Sequence, residues 1–132
     1  MTGRTALLAG GIFSALSVVL GAFGAHALRD KLLPEQLQSF ETGVRYQIYH
    51  GLALIMIGLL MTRYPEVSWK STLLLFTSGT LLFSGSIYLL STRDLMGIAS
   101  WKSFLGPITP IGGSLLIAGW VTFCMNAWKI KN

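Results

Sequence analysis

Charge is what this sequence has least of. Asp, Glu, Lys and Arg make up 11% of its 132 residues while 52% are hydrophobic, a balance that excludes an ordinary soluble domain. A single cysteine, Cys124, excludes an intrachain disulfide and sits in an apolar run where a small packing residue is expected. Period-2 segments separated by turns are missing, which excludes a membrane β-barrel, because lipid tolerates only helices or closed barrels. There is no nucleophile elbow, no HExxH and no phosphate loop, so no enzyme chemistry is indicated. The net charge of +5 lies between apolar runs, where cations anchor and orient spans, so nucleic acid is not an expected partner.

What remains are four uncharged runs, Thr5–Leu28, Tyr46–Thr62, Ser71–Thr92 and Ser103–Trp128. A bilayer core of about 30 Å needs roughly 20 helical residues. Three runs meet that length and the second falls short. The expectation is an all-α, four-helix transmembrane bundle forming one integral membrane domain, with spans at about 5–28, 44–62, 71–92 and 106–128 and short interfacial helical segments. The lipid bilayer is the expected partner.

The end of the first run, "GAFGAHALRDK", admits two fates. Ala25-His26-Ala27 has the small-x-small form of a signal-peptidase site, yet the run exceeds the 7–15 residues of a signal core. Gly10, Ser14, Ser17, Gly21 and Gly24 recur at steps of four and three, which aligns them on one helix face. Gly11, Ala15, Ala22 and His26 form a second small stripe. Lipid-embedded helices associate through such faces, so an uncleaved span with neighbours on two sides is expected.

Beyond it, Pro34 suits a first helical turn, and Leu33, Leu37, Phe40 and Val44 form an apolar stripe. They mark an amphipathic helix that lies at the membrane surface or leads into the second span. That span opens with a polar cluster, Glu41, Arg45, Tyr46, Gln47, Tyr49 and His50, expected at one end of the bundle together with His26. Glu41 and Arg45 stand i,i+4 in the favourable order for an ion pair, as do Tyr46 and His50 for contact. The cluster reads either as an interfacial anchor, with Arg45 snorkelling beside Glu41, or as a polar pocket for a proton, an anion or a headgroup. Two histidines without a carboxylate or cysteine pattern do not make a metal or haem site, and no cofactor is expected.

In the second half, Gly85, Gly112 and Gly113 are expected at close helix contacts, and Pro107 and Pro110 are expected to define the start of the fourth helix. Leu95, Met96, Ile98, Trp101, Phe104 and Leu105 suit a short interfacial helix. Trp69 and Trp128 suit an aromatic belt, and Trp120 suits packing. Arg4, Arg63, Lys70, Lys129 and Lys131 share the terminal side and Arg29, Lys31, Arg45, Arg93 and Lys102 lie opposite. This five-to-five tie leaves a lean towards cytoplasmic termini, because acidic residues cluster on the second side and Arg45 is open to being occupied within the bundle.

Four blocks, "GAFGAHALRDKL", "FETGVRYQIYHGLAL", "LFSGSIYLL" and "GPITPIGG", resemble the signature blocks of a family of small four-helix membrane proteins of unknown function that includes bacterial YgdD-like proteins and transmembrane protein 256. The resemblance extends over nearly the whole chain. It implies a multi-pass protein of the bacterial inner membrane and supplies no reaction. The leading reading is therefore a non-enzymatic membrane protein that packs or assembles, with itself or a partner, through small helix faces. A transporter or proton-linked channel gated at His26, Glu41, Arg45 and His50 is the alternative, and lipid binding at Arg45 a third.

Overall fold

A computed structural model of the chain describes residues 2–130; Lys131, counted above on the terminal side, lies outside them. Four long helices make up the described residues, and no strand occurs among them. Helix α1 spans Gly3–Phe23 and continues through one π-helical turn, Gly24–Leu28. Helix α2 spans Pro34–Arg63, α3 Lys70–Thr92 and α4 Lys102–Ala127. Each is long and apolar enough to cross a membrane. Local chemistry sets the first two starts. Thr2 and Thr5 cap α1 reciprocally, each side chain accepting the other's backbone N–H at 3.3 Å. At α2, Pro34 occupies the first turn and Gln36 Oε1 accepts from the Leu33 N–H at 3.1 Å.

The helices pack in chain order, α1 on α2, α2 on α3 and α3 on α4, and no other pair of long helices reaches comparable contact. Burial follows. In the most apolar stretch of each helix, 39% and 33% of residues are buried in α2 and α3 but only 17% in α1 and α4. One apolar core draws on all four helices towards the terminal end, through Ala6, Leu54, Ile57, Leu73, Phe76 and Leu116. A smaller one, Leu28, Leu32 and Phe40, closes the other end.

Glycines set the closest approaches. A Cβ on Gly10 would stand 2.6 Å from the Gly51 carbonyl oxygen, and one on Gly3 2.7 Å from that of Gly58. Helices can come this close only without side chains, which is how membrane helices gain dispersion energy that lipid would otherwise match. Ser17 and Gly24 on the same face are buried and Ser14 and Gly21 half-buried, with Val44 3.4 Å from a Cβ on Gly21. On the α3–α4 seam, Gly112 lies against the Phe83 backbone and Gly119 against the Phe76 ring.

Several expectations are corrected. The second span is the longest helix, not the shortest, because the segment from Pro34 continues into it without a break: 30 residues, about 45 Å. Of the two readings of the Pro34 segment, the one that leads into the second span holds, and among the described residues no separate surface helix precedes it. Helix α4 begins at Lys102, so Pro107 and Pro110 lie inside it rather than at its start, each removing a backbone donor. The interfacial segment before α4 reduces to one 3-10 turn, Ala99–Trp101, after a reversal at Gly97 with φ 69°. Trp69 is not in an aromatic belt: it is 1% exposed, packed 5.8 Å from the Phe123 ring. Gly85 makes no close helix contact, since a Cβ there meets nothing within 4 Å, and Gly113 is in ordinary contact with Phe83.

Candidate functional site

The register of α1 against α2 fixes the depth of the polar residues. Gly24 meets Phe40, Gly21 meets Val44, Phe13 meets Gln47, Gly10 meets Gly51 and Gly3 meets Gly58. Arg45 therefore lies level with the stretch of α1 between Gly21 and Phe13, the middle of the Thr5–Leu28 run. From the nearest pairs its backbone stands roughly 12–16 Å along the axis from Leu28, about half of a core of about 30 Å. Arg45 is thus drawn inside the span, while Glu41, next to the Phe40 that meets Gly24, stays nearer its end. The polar cluster does not gather His26 and His50: His50 adjoins the Gly51 that packs on Gly10 and Ser14, roughly 18 Å along α1 from His26. His26 is exposed and its Nδ1 lies 2.9 Å from the Ala22 carbonyl oxygen. A single gate built from the four residues is not formed.

Helix periodicity sorts the cluster onto two faces of α2. On the inner face, Gln47 is 7% exposed and joins three helices, its Nε2 donating to the Phe13 carbonyl of α1 at 3.0 Å while its Oε1 accepts from the Tyr88 hydroxyl of α3 at 2.8 Å. One turn on, His50 is 4% exposed among the rings of Phe76, Trp120 and Tyr46. Its Nε2 lies 3.1 Å from Trp120 Nε1, and an indole nitrogen can only donate. Nε2 is therefore the acceptor, and Nδ1, 2.8 Å from the Tyr46 carbonyl oxygen, carries the proton. Both ring nitrogens are engaged in a neutral imidazole.

The outer face is different. Glu41, Arg45, Tyr46 and Tyr49 are exposed. Glu41 and Arg45 do not form the expected ion pair; among the described residues the one ion pair is Arg93–Asp94, at 4.0 Å. Arg45 reaches only its own helix, donating to Thr42 Oγ1 at 3.5 Å. Beside it, Glu41, Arg45, Val44 and Phe40 line a shallow cavity of about 220 Å³ whose other wall is Gly21 and Gly24. Further round α1 lies the second small stripe, Gly11, Ala15, Ala22 and His26, all exposed, with nothing within 4 Å of a Cβ on Gly11. Among the described residues no neighbour covers it. Among the described residues no three His, Cys, Asp or Glu side chains stand together as a metal site.

A family model described as "Protein of unknown function (DUF423)" matches residues 20–113, from Leu20 in the last turn of α1 to Gly113 in α4. A relative from Staphylococcus haemolyticus, the UPF0382 membrane protein SH2409, is 40% identical over 93% of this chain and 94% of its own. The chain belongs to the DUF423 family. The UPF0382 membrane protein YwdK of Bacillus subtilis is 38% identical over 93% of this chain and 95% of its own, and a Staphylococcus saprophyticus relative, SSP2132, is 38% identical over 94% and 97%. No solved structure matches the chain. Small membrane proteins of unknown function are what the four sequence blocks implied.

The DUF423 match takes in both faces of α2 but stops short of Trp120. That partner of His50 had no sequence signal, since nothing in a lone tryptophan of an apolar run says which helix it meets. Tyr88 was likewise silent. Gly43, Gly51 and Gly58 did carry one: spaced by eight and seven residues, they share the face of α2 that meets α1 and α3. On the α3–α4 seam, Asn126 donates to the Ser68 carbonyl at 3.0 Å and to Thr72 Oγ1 at 3.2 Å, and Ser86 and Thr109 hydroxyls meet at 2.7 Å. These polar pairs fasten helices in lipid, at about 0.6 kcal/mol each on average.

Proposed function

We propose that this DUF423 protein is a non-enzymatic integral membrane protein of the bacterial inner membrane that works as an assembly, with a second copy of the chain covering the outer face of α1 and α2. One observation carries the reading: Glu41 and Arg45 are exposed and make no ion pair, with Arg45 level with the α1 stretch between Phe13 and Gly21 and Glu41 about one turn nearer its end. A charge inside a bilayer costs on the order of 3 kcal/mol by insertion scales and, in membrane proteins, nearly always has a partner. An isologous two-fold contact meets both charges at once, Arg45 of each copy facing Glu41 of the other. The small stripe Gly11, Ala15 and Ala22 beside them lets two α1 helices approach.

Four crossings put both ends of the chain on one side of the membrane. Because Arg45 belongs to no loop, the Lys/Arg balance becomes five to four in favour of the terminal side. That supports cytoplasmic termini under the positive-inside rule.

Cross-linking in native membranes tests the assembly. In a Cys124→Ser background, Ala15→Cys should give a cross-linked dimer under mild oxidation, and Leu74→Cys, exposed on α3, should not. Equal cross-linking at both positions, or at neither, would refute the interface.

A further inference from the structure

On the opposite side of α1 from the small stripe, α1 and α3 face each other without touching closely, and two cavities occupy the gap. The larger, about 580 Å³, lies towards the α1–α2 and α3–α4 connections, between Leu20, Phe23 and Ala27 on α1 and Leu89 and Met96 on the α3 side. The deeper, about 180 Å³, continues along Phe13 and Leu16 towards Gly85. Leu20 and Tyr88 line both, so they form one continuous groove. Its lining is mostly apolar, with Gln47, Thr80, Tyr88 and Thr92 as its neutral polar residues, and Lys31, at the open end, is the single charged residue lining either cavity.

We propose that this groove is a binding site for one anionic phospholipid, with an acyl chain lying between α1 and α3 and its phosphate met by Lys31. Size decides the class of occupant. From Phe13 to Leu28 the groove runs roughly 22 Å along the helix axis, somewhat more than one leaflet, about half of a 30 Å core. A helix of about 10 Å diameter is as wide as the ordinary spacing of packed helices, whereas a single hydrocarbon chain is slender enough to lie between α1 and α3 without parting them from α2. Charge decides the headgroup. The connections carrying Lys31 and Met96 lie at the end where headgroups stand, and a lysine there favours a phosphate.

Gly85 then has a role that helix packing did not give it. It faces the deep end of the groove, and a Cβ there meets nothing within 4 Å. Its missing side chain keeps the space open where the end of an acyl chain would lie. Gly106 on α4 is as uncrowded but lines neither groove cavity, and so supplies the control.

The test is native mass spectrometry of the full chain released from nanodiscs of equal phosphatidylglycerol and phosphatidylethanolamine. Wild type and Gly106→Leu should each retain one phospholipid per chain, with phosphatidylglycerol preferred. Gly85→Leu, which fills the deep end, should cut retention at least tenfold. Lys31→Glu, a change in an exposed connection that leaves the helices intact, should abolish or reverse the headgroup preference and so tests the site even if Gly85→Leu fails to fold. Retention unchanged in both variants, or a Gly85→Cys chain cross-linking to a second copy in a Cys124→Ser background, would overturn the proposal.

Discussion

Helix α2 carries two polar faces within ten residues, and they are resolved in opposite ways. Gln47 and His50 on the inner face are buried and fully engaged, through Phe13, Tyr88, Tyr46 and Trp120. Glu41 and Arg45 on the outer face are exposed and make no ion pair within the described residues. On the inner face Gln47 and His50 each find a partner on a neighbouring helix. By the same physics the outer face is incomplete within one copy. A neutral amide or imidazole can be satisfied inside a fold of four helices, whereas an exposed charge at the level of the middle of α1 calls for a group from outside it.

The largest expected effect lies at the support that holds the two faces in place. Gly10→Leu would drive a side chain into the Gly51 carbonyl and Ile55. It should part α1 from α2 and cost about 3 kcal/mol or more in a reversible unfolding assay in bilayers or mixed micelles. Gly11→Leu, one residue on, should leave that stability within about 0.5 kcal/mol and abolish dimer cross-linking at Ala15→Cys. Equal loss of stability in the two variants would erase the distinction between the covered and the uncovered stripe.

Next is the inner face itself. Gln47→Leu removes a donor to Phe13 and an acceptor for Tyr88, and should cost about 1–2 kcal/mol, at the upper end for interhelical hydrogen bonds in membranes. Combined with Tyr88→Phe, the double-mutant cycle should return a coupling of about 0.6 kcal/mol or more. Additive losses would mean that the bond does not hold α2 to α3. The smallest effect is at His50: Trp120→Phe should cost about 0.6 kcal/mol. Nitrogen chemical shifts should report the Nδ1–H tautomer in wild type. An Nε2–H signal there would contradict the assigned hydrogen bond.

Much of the architecture was legible because charge is scarce. Where the charges fall marks the four crossings, and the stripe from Gly10 to Gly24 marks the face of α1 that meets α2. What misled was counting span length only along uncharged residues. Arg45 ends the second uncharged run in sequence without ending it in space, since α2 continues helical for eleven residues before it. The depth of Arg45 could be read only from which α1 residues its neighbours touch, a long-range register that no local spacing encodes. The prolines misled for a related reason. Proline favours a first turn, yet Pro107 and Pro110 are carried inside α4, in a stretch that turns both side chains outwards. The partners of Gln47 and His50 were illegible because Tyr88 and Trp120 look like ordinary aromatic residues of apolar helices.

The measurement that tests the account most directly is subunit counting by single-molecule photobleaching in dilute lipid vesicles, across a charge-swap series. Wild type should bleach in two steps, Arg45→Glu and Glu41→Arg alone should bleach in one, and the chain carrying both changes should return to two. Single-step bleaching of wild type, or two-step bleaching that neither single change disturbs, would contradict a contact in which Arg45 of each copy meets Glu41 of the other.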